Sequence, residues 1–243
     1  MYINDIFILY YVLFGFVGII FSQIIDWCQI RFSESKKIFS LDFFKIYLKK
    51  FSFNVILMFT NIFLFTFLLY TYGLTNIKTY IYILLGELLL TVIFVDFKKQ
   101  IIPNRLALSI FELGLMFTFI EGISNVNSII NSVLGCIIGI IIFGLITLIG
   151  LIVSRKESIG FGDLKLIASL GLIFGWRSII IICVLAFFMG ALYSLGLLIF
   201  KRKDKKEEYI PFGPFIGIAS FVLMFVPLEY FFELYTSIVS LIK

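Results

Sequence analysis

Residues 129–166 read IINSVLGCIIGIIIFGLITLIGLIVSRKESIGFGDLKL. The stretch 129–153 contains no charged side chain. A helix rises about 1.5 Å per residue, so about 20 apolar residues cross the hydrocarbon of a bilayer. This run is therefore a membrane span. The next residues are of another kind: Arg155 and Lys156, then Gly160-Phe161-Gly162-Asp163-Leu164-Lys165, then a second apolar run. An acid set between a glycine pair and a lysine, at the edge of a membrane helix, needs a reason.

The rest of the chain resembles its middle. Its 243 residues are 61% hydrophobic and 19% aromatic, with a mean hydropathy of +1.12. Charged residues make up 14%, where a soluble domain carries about 25%. The expected fold is all-α, a polytopic transmembrane helical bundle forming one domain over 1–243. Spans are placed near 5–25, 52–72, 79–96, 106–121, 129–153, 164–176, 177–200 and 211–228, about eight in all. The run 164–176 is short enough to be a partial or broken span. The stretch 229–242 either extends the last span or lies in the interface after Pro227. The first run starts almost at Met1 without an Ala-x-Ala-like cleavage site, so it is read as a retained span.

Basic residues set the expected orientation. Arg31, Lys36, Lys37, Lys45, Lys49 and Lys50 fall in the loop 26–50, and Lys98, Lys99 and Arg105 in or beside 97–105. Arg155, Lys156 and Lys165 fall in 154–165, and Lys201, Arg202, Lys203, Lys205 and Lys206 in 201–206. These are seventeen of the twenty Lys and Arg residues, all in alternate loops. By the positive-inside rule those loops are cytoplasmic and the N-terminus is outside. The net charge of +5 thus reflects topology, and no nucleic-acid partner is called for.

The chain has no histidine. That excludes Ser-His-Asp triads, Cys-His dyads and His-ligated metals together. Cys28, Cys136 and Cys183 are far apart and form no CxxC pair, so neither a disulfide framework nor a metal site is expected. The last two sit in apolar runs, where a thiol acts as a small hydrophobe.

The acids are then the chemistry to pursue. Asp5, Glu121 and Glu229 belong to the outer side. Asp26, Glu34, Asp42, Glu157, Asp204, Glu207 and Glu208 belong to inner loops. Glu87 and Glu112 lie inside spans and are expected to hydrogen-bond between helices, Glu87 while protonated. Nine residues separate Glu87 from Asp96, half a turn beyond whole turns, which sets them on opposite faces. Asp96, in TVIFVDFKKQIIPN, ends the third span at the cytoplasmic level where Asp163 begins the sixth. Ionisable groups near membrane depth are costly and mark function. Two carboxyls in a low-dielectric site can share one proton, one serving as base on water and the other as proton donor. The plainer reading of Asp163 is an N-cap for the helix from Leu164, which is compatible with catalysis. Gly160 and Gly162 would let a substrate backbone lie close beside Phe161. Lys165 is expected to snorkel, Pro103 and Asn104 to turn the chain into the fourth span, and Gly135 with Gly139 to pack helices.

These residues resemble the type IV prepilin peptidases, intramembrane aspartic proteases of the GxGD class. Gly160-Phe161-Gly162-Asp163-Leu164-Lys165-Leu166, after Lys156-Glu157-Ser158-Ile159, is similar to the family signature. Asp96 with Ile102-Pro103-Asn104 is similar to the second, and Ile210-Pro211-Phe212-Gly213-Pro214 to the third. The resemblance implies catalysis by Asp96 and Asp163, with Gly160, Phe161, Gly162, Lys165, Pro103 and Asn104 shaping the site, and no metal. It implies prepilin or pseudopilin substrates with short basic leaders, cut at the cytoplasmic face of the bacterial plasma membrane. Glu157, Glu207 and Glu208 are candidates to receive such a leader, although an ordinary solvated loop charge is the commoner role for any one of them. Some members also methylate the new N-terminus with S-adenosylmethionine. Members often carry Gly-Ser-Phe-Leu-Asn-Val at the end of the first span; this chain has Gly18-Ile19-Ile20-Phe21-Ser22-Gln23, and its 26–50 loop lacks the CxxC pairs. Competing readings are another GxGD protease and a proton-coupled transporter, whose charges would sit nearer the bilayer midplane. A Ser-Lys hydrolase would leave both aspartates unexplained. Oligomeric state is not legible.

Overall fold

A computed structural model describes residues 2–3, 6–33, 54–154, 160–200, 211–226, 228–231 and 233. Most of the 26–50 and 201–206 basic loops, Asp5, Glu157, Glu207, Glu208 and most of the 229–242 tail lie outside the described residues. Among those described, seven helices build the fold: α1 Ile8–Ser33, α2 Val55–Tyr72, α3 Ile77–Lys99, α4 Asn104–Ser124, α5 Val126–Ser154, α6 Phe161–Phe200 and α7 Gly213–Phe225. Ahead of them, β1 Tyr2–Ile3 pairs antiparallel with β2 Ile6–Phe7. Six of the helices are long and apolar enough to cross a membrane. The chain is an all-α, multi-pass membrane protein.

Two compact units divide the chain, Met1–Leu106 and Ala107–Lys243. In the first, α1 buries a stripe of Gly15, Gly18, Ser22, Ile25 and Gln29. That three-four spacing keeps one side of a helix against its neighbours. Gly18 lets the Asn61 backbone of α2 approach: a Cβ there would stand 3.0 Å from the Asn61 carbonyl oxygen. The α2–α3 turn is tight. Gly73 ends α2 at φ 80, its N–H donating to the Leu69 carbonyl, and Asn76 caps α3 through its side chain. The Thr79 hydroxyl closes the turn on the Gly73 carbonyl at 2.6 Å. Tyr72 and Tyr82 meet edge to face, 5.2 Å between centroids. The α3 helix is the most enveloped, 61% of its apolar window being buried against 22% for α1 and 28% for α2.

In the second unit α6 is not one rod. At Gly175 the backbone leaves helical geometry (φ 77, ψ 175). A Cβ on Gly139 of α5 would meet both the Ile167 carbonyl oxygen, at 3.2 Å, and Ile179 Cγ1, at 3.5 Å. On a straight helix those two residues would stand about 18 Å apart, so α6 folds back at Gly175. Its halves correspond to the expected runs 164–176 and 177–200. The crossing on α5 is between backbones: a Cβ on Gly135 would overlap the Gly171 carbonyl, and one on Gly171 would overlap Gly135. The expected role of Gly135 and Gly139 in packing is thus realised. The short α7 is buried nearly all round, from Gly213 to Met224.

One boundary expectation needs correction. The α1 helix continues to Ser33, so Asp26 and Arg31 are helical rather than loop residues. Arg31 is 6% exposed and its guanidinium lies 4.3 Å from the Trp27 ring centroid. Stacking on the indole lets this cation continue the helix where charge alone suggested its end.

Candidate active site

In the first unit the candidate site residues gather at the end of α3. Lys98 and Lys99 occupy its last turn, the favoured position for cations against the negative end of the helix dipole. Gln100 then takes the left-handed conformation (φ 56), and its N–H donates to the Asp96 carbonyl at 2.8 Å. Such a residue stops a helix by satisfying a carbonyl of the last turn. Ile101, Ile102 and Pro103 lead directly into α4, which begins at Asn104, with the Leu106 N–H donating to the Pro103 carbonyl at 2.9 Å. Ile102 is buried and pins this short connection. Asp96 therefore has a fixed backbone one turn before a fixed corner. Its side chain is 3% exposed.

In the second unit the Gly160 carbonyl accepts from the N–H groups of Asp163 (3.1 Å) and Leu164 (3.4 Å), which starts α6. The helix begins at Phe161, so Asp163 lies within its first turn and is not the N-cap residue. The first turn is still a favourable place for a negative charge, facing unpaired N–H groups. Asp163 is 4% exposed, whereas Phe161 is 74% exposed. Lys165 Nζ lies 5.6 Å from the Phe161 centroid, a one-turn cation–π pair that places the ammonium beside the outward ring. Gly162 belongs to the first helical turn.

The third motif is an anchor. Phe212 precedes α7 and Pro214 sits in its first positions, where a missing N–H costs nothing. The Phe212 ring meets Phe187 at 5.0 Å and Phe143 at 5.8 Å between centroids. On α5, Gly135 lies against Gly171 and Gly139 against Ile167. One further turn along that antiparallel register brings Phe143 to the level of Asp163. Phe143 is fully buried, so the motif fixes α7 by an aromatic cluster.

Among the described acids, only Glu87, Asp96 and Asp163 are buried. Glu87 does not make the expected interhelical hydrogen bond: neither carboxylate oxygen has a hydrogen-bond partner among the described residues. Glu112 is exposed on α4 rather than turned between helices. No group of three or more His, Cys, Asp or Glu residues suited to a metal ion occurs among the described residues.

Residues 82–195 match the family model described as the type IV leader peptidase family. Over those residues, a little under half of the chain, it is similar to that family. The matched interval contains Asp96, Pro103, Asn104 and the whole Gly160–Lys165 segment. Among similar proteins is the prepilin leader peptidase/N-methyltransferase of Aeromonas salmonicida strain A449, 30% identical over 142 residues, 58% of this chain and 47% of that protein. The protein of the same name from Escherichia coli K12 is 28% identical over 135 residues, 55% of this chain and 57% of that protein. The one from Legionella pneumophila is 30% identical over 143 residues, 57% of this chain and 47% of its own length. The chain thus spans about half the length of these curated relatives. No solved structure matches it.

Two contributors to the fold escaped sequence reading, Thr118 and Asn131, and a third, the turn at Gly175, was legible only in part. Gly175 and the shortness of the run 164–176 were the visible signals. Thr118 is a single polar residue inside an apolar run and Asn131 stands beside Ser132 near the start of one, and their partners lie 54 and 45 residues away.

Proposed function

We propose that this protein is a prepilin leader peptidase in which Asp96 and Asp163 act as one aspartic dyad. The observation that carries this reading is the burial of both aspartates at helix ends within the family-matched interval. Water, which both groups need for catalysis, is absent from lipid, and ends of helices are where it can reach a buried acid. One carboxyl, ionised, takes a proton from a water whose oxygen attacks the scissile carbonyl carbon. The other, protonated, donates to the carbonyl oxygen as the tetrahedral intermediate forms. The carbon–nitrogen bond then breaks as a proton passes to the leaving nitrogen. Two nearby carboxyls sharing one proton titrate as a pair, so the macroscopic pH profile belongs to both. Gly160 and Gly162 leave room for the substrate backbone, and Phe161, Lys165, Pro103 and Asn104 shape its entry.

The substrate that fits is a prepilin or pseudopilin whose short basic leader precedes an apolar helix. Cleavage takes place at the cytoplasmic face of the bacterial plasma membrane, the side to which the basic loops assign both aspartates. Methylation of the new N-terminus would draw on S-adenosylmethionine. On α1, however, Gly18 lies beneath the Asn61 backbone and the Ser22 hydroxyl donates to the Ile19 carbonyl at 2.6 Å. Those residues fit helix packing rather than an adenosyl group.

The test is cleavage of a co-expressed prepilin, read by mass spectrometry of the product. Asp96→Asn and Asp163→Asn should each lower cleavage by about 10²–10⁴-fold while the protein still inserts. Near-normal cleavage by either variant would refute the dyad. A product heavier by one methyl group would reveal the second activity.

A further inference from the structure

The turn at Gly175 is assembled from side chains of two other helices. The same backbone conformation occurs at Gly73 (φ 80, ψ 174), where it ends α2 outright. At Gly175 the chain resumes as helix and turns back. A helix end leaves its last carbonyls and the next helix its first N–H groups without internal partners. Side chains of two other helices supply a partner to one carbonyl and one N–H here. The Thr118 hydroxyl of α4 donates to the Leu172 carbonyl at 3.2 Å. The Asn131 Oδ1 of α5 accepts from the Trp176 N–H at 3.3 Å, which is N-capping delivered from a different helix. A Cβ on Gly175 would overlap the Asn131 side chain, so the glycine and the amide form a matched pair.

We infer that Thr118 and Asn131 are positioning residues for Asp163: they stitch the turn of α6 and thereby hold the half-helix Phe161–Phe174 that carries the carboxyl. This rests on the reading of Asp163 as catalytic. The half-helix is about 21 Å long, and Asp163 lies about 17 Å from the turn, so a 10° tilt moves the carboxyl by about 3 Å. A misplacement of about 1 Å can cost about 10²-fold in rate. Close packing fixes the half-helix sideways: a Cβ on Gly114 would stand 3.2 Å from the Ser169 carbonyl oxygen, and one on Gly139 3.2 Å from that of Ile167. The two hydrogen bonds fix its end.

The test compares isosteric losses with conservative replacements. Thr118→Val and Asn131→Leu remove the hydrogen bonds, whereas Thr118→Ser and Asn131→Asp keep a hydroxyl donor and an acceptor oxygen. Prepilin cleavage by the first two should show kcat lowered by about 10-fold or more with KM little changed, and the second two should recover most of it. A second measurement needs no activity. With the three native cysteines replaced, spin labels at Phe161→Cys and Leu195→Cys report the spacing of the two halves by pulsed electron resonance. Asn131→Leu should shift or broaden that distance, and Asn131→Asp should restore it. An unchanged distance in Asn131→Leu overturns the inference, as does a kcat loss that Asn131→Asp fails to recover. If the unaltered protein cleaves no prepilin, the proposed activity falls, while the distance measurement still decides the stitch.

Discussion

Glu87 shows how a single residue can be read correctly as buried and wrongly as bonded. Its position inside an apolar run was plain from sequence, and the polar atoms of neighbouring helices made a hydrogen bond the economical expectation. In the structure it is 4% exposed, and both carboxylate oxygens lack partners among the described residues. The nearby Thr91 hydroxyl bonds the Glu87 backbone carbonyl at 3.0 Å rather than its side chain. A buried polar group without a partner costs about 1–3 kcal/mol. Glu87→Met, similar in length and apolar, should therefore raise the unfolding midpoint in detergent, by the equivalent of about 1–2 kcal/mol. A lower midpoint would mean that the carboxyl has a partner it needs. Asp96 and Asp163 share this burial but stand at helix ends, and replacing them should cost activity rather than stability.

At the scale of elements, glycine content divides into contacts that are required and contacts that are absent. A Cβ on Gly135 would overlap the Gly171 carbonyl, whereas one on Gly144, on the same helix, would meet nothing within 4 Å. Gly135→Ala should force α5 away from α6 and destabilise the protein by about 1–3 kcal/mol, as overpacking does. Gly144→Ala should be neutral or stabilise by up to about 1 kcal/mol, through the better helix propensity of alanine. Thermal unfolding of the two variants, side by side, checks the pair, and similar losses in both would refute the close crossing. Sequence spacing exposed the 135–139 pattern because it repeats on one helix. It could not expose Gly171 as the partner, because that depends on the register of α5 against a later helix. The same limit hid Thr118 and Asn131, and the weak pairing of two-residue strands hid β1 and β2. The turn at Gly175 was half legible: the mostly apolar run of thirteen residues, 164–176, is too short for a full crossing of about 20, but composition does not say what ends it.

For the whole molecule, what the sequence carried best was the alternation of long apolar runs with basic loops, because lipid imposes it on every crossing helix. Helix positions agreed within a few residues, apart from α1, which Trp27 and Arg31 extend together. Orientation is a matter of charge, and it decides whether the proposed dyad could meet the proposed prepilin leader. With the native cysteines replaced, single cysteines at Thr75, Gln100 and Asn125 sample three exposed turns. Thr75 and Asn125 stand in turns without flanking basic clusters, while Gln100 comes directly after Lys98 and Lys99. The positive-inside rule therefore places the first two outside and the third within. A membrane-impermeant thiol reagent should label Thr75→Cys and Asn125→Cys in intact cells, and Gln100→Cys only after permeabilisation. Labelling of Gln100→Cys in intact cells would invert the topology and set Asp96 on the outer side. A leader held in the cytoplasm by its basic charges could not then reach the acid, and the peptidase reading would fail with the orientation.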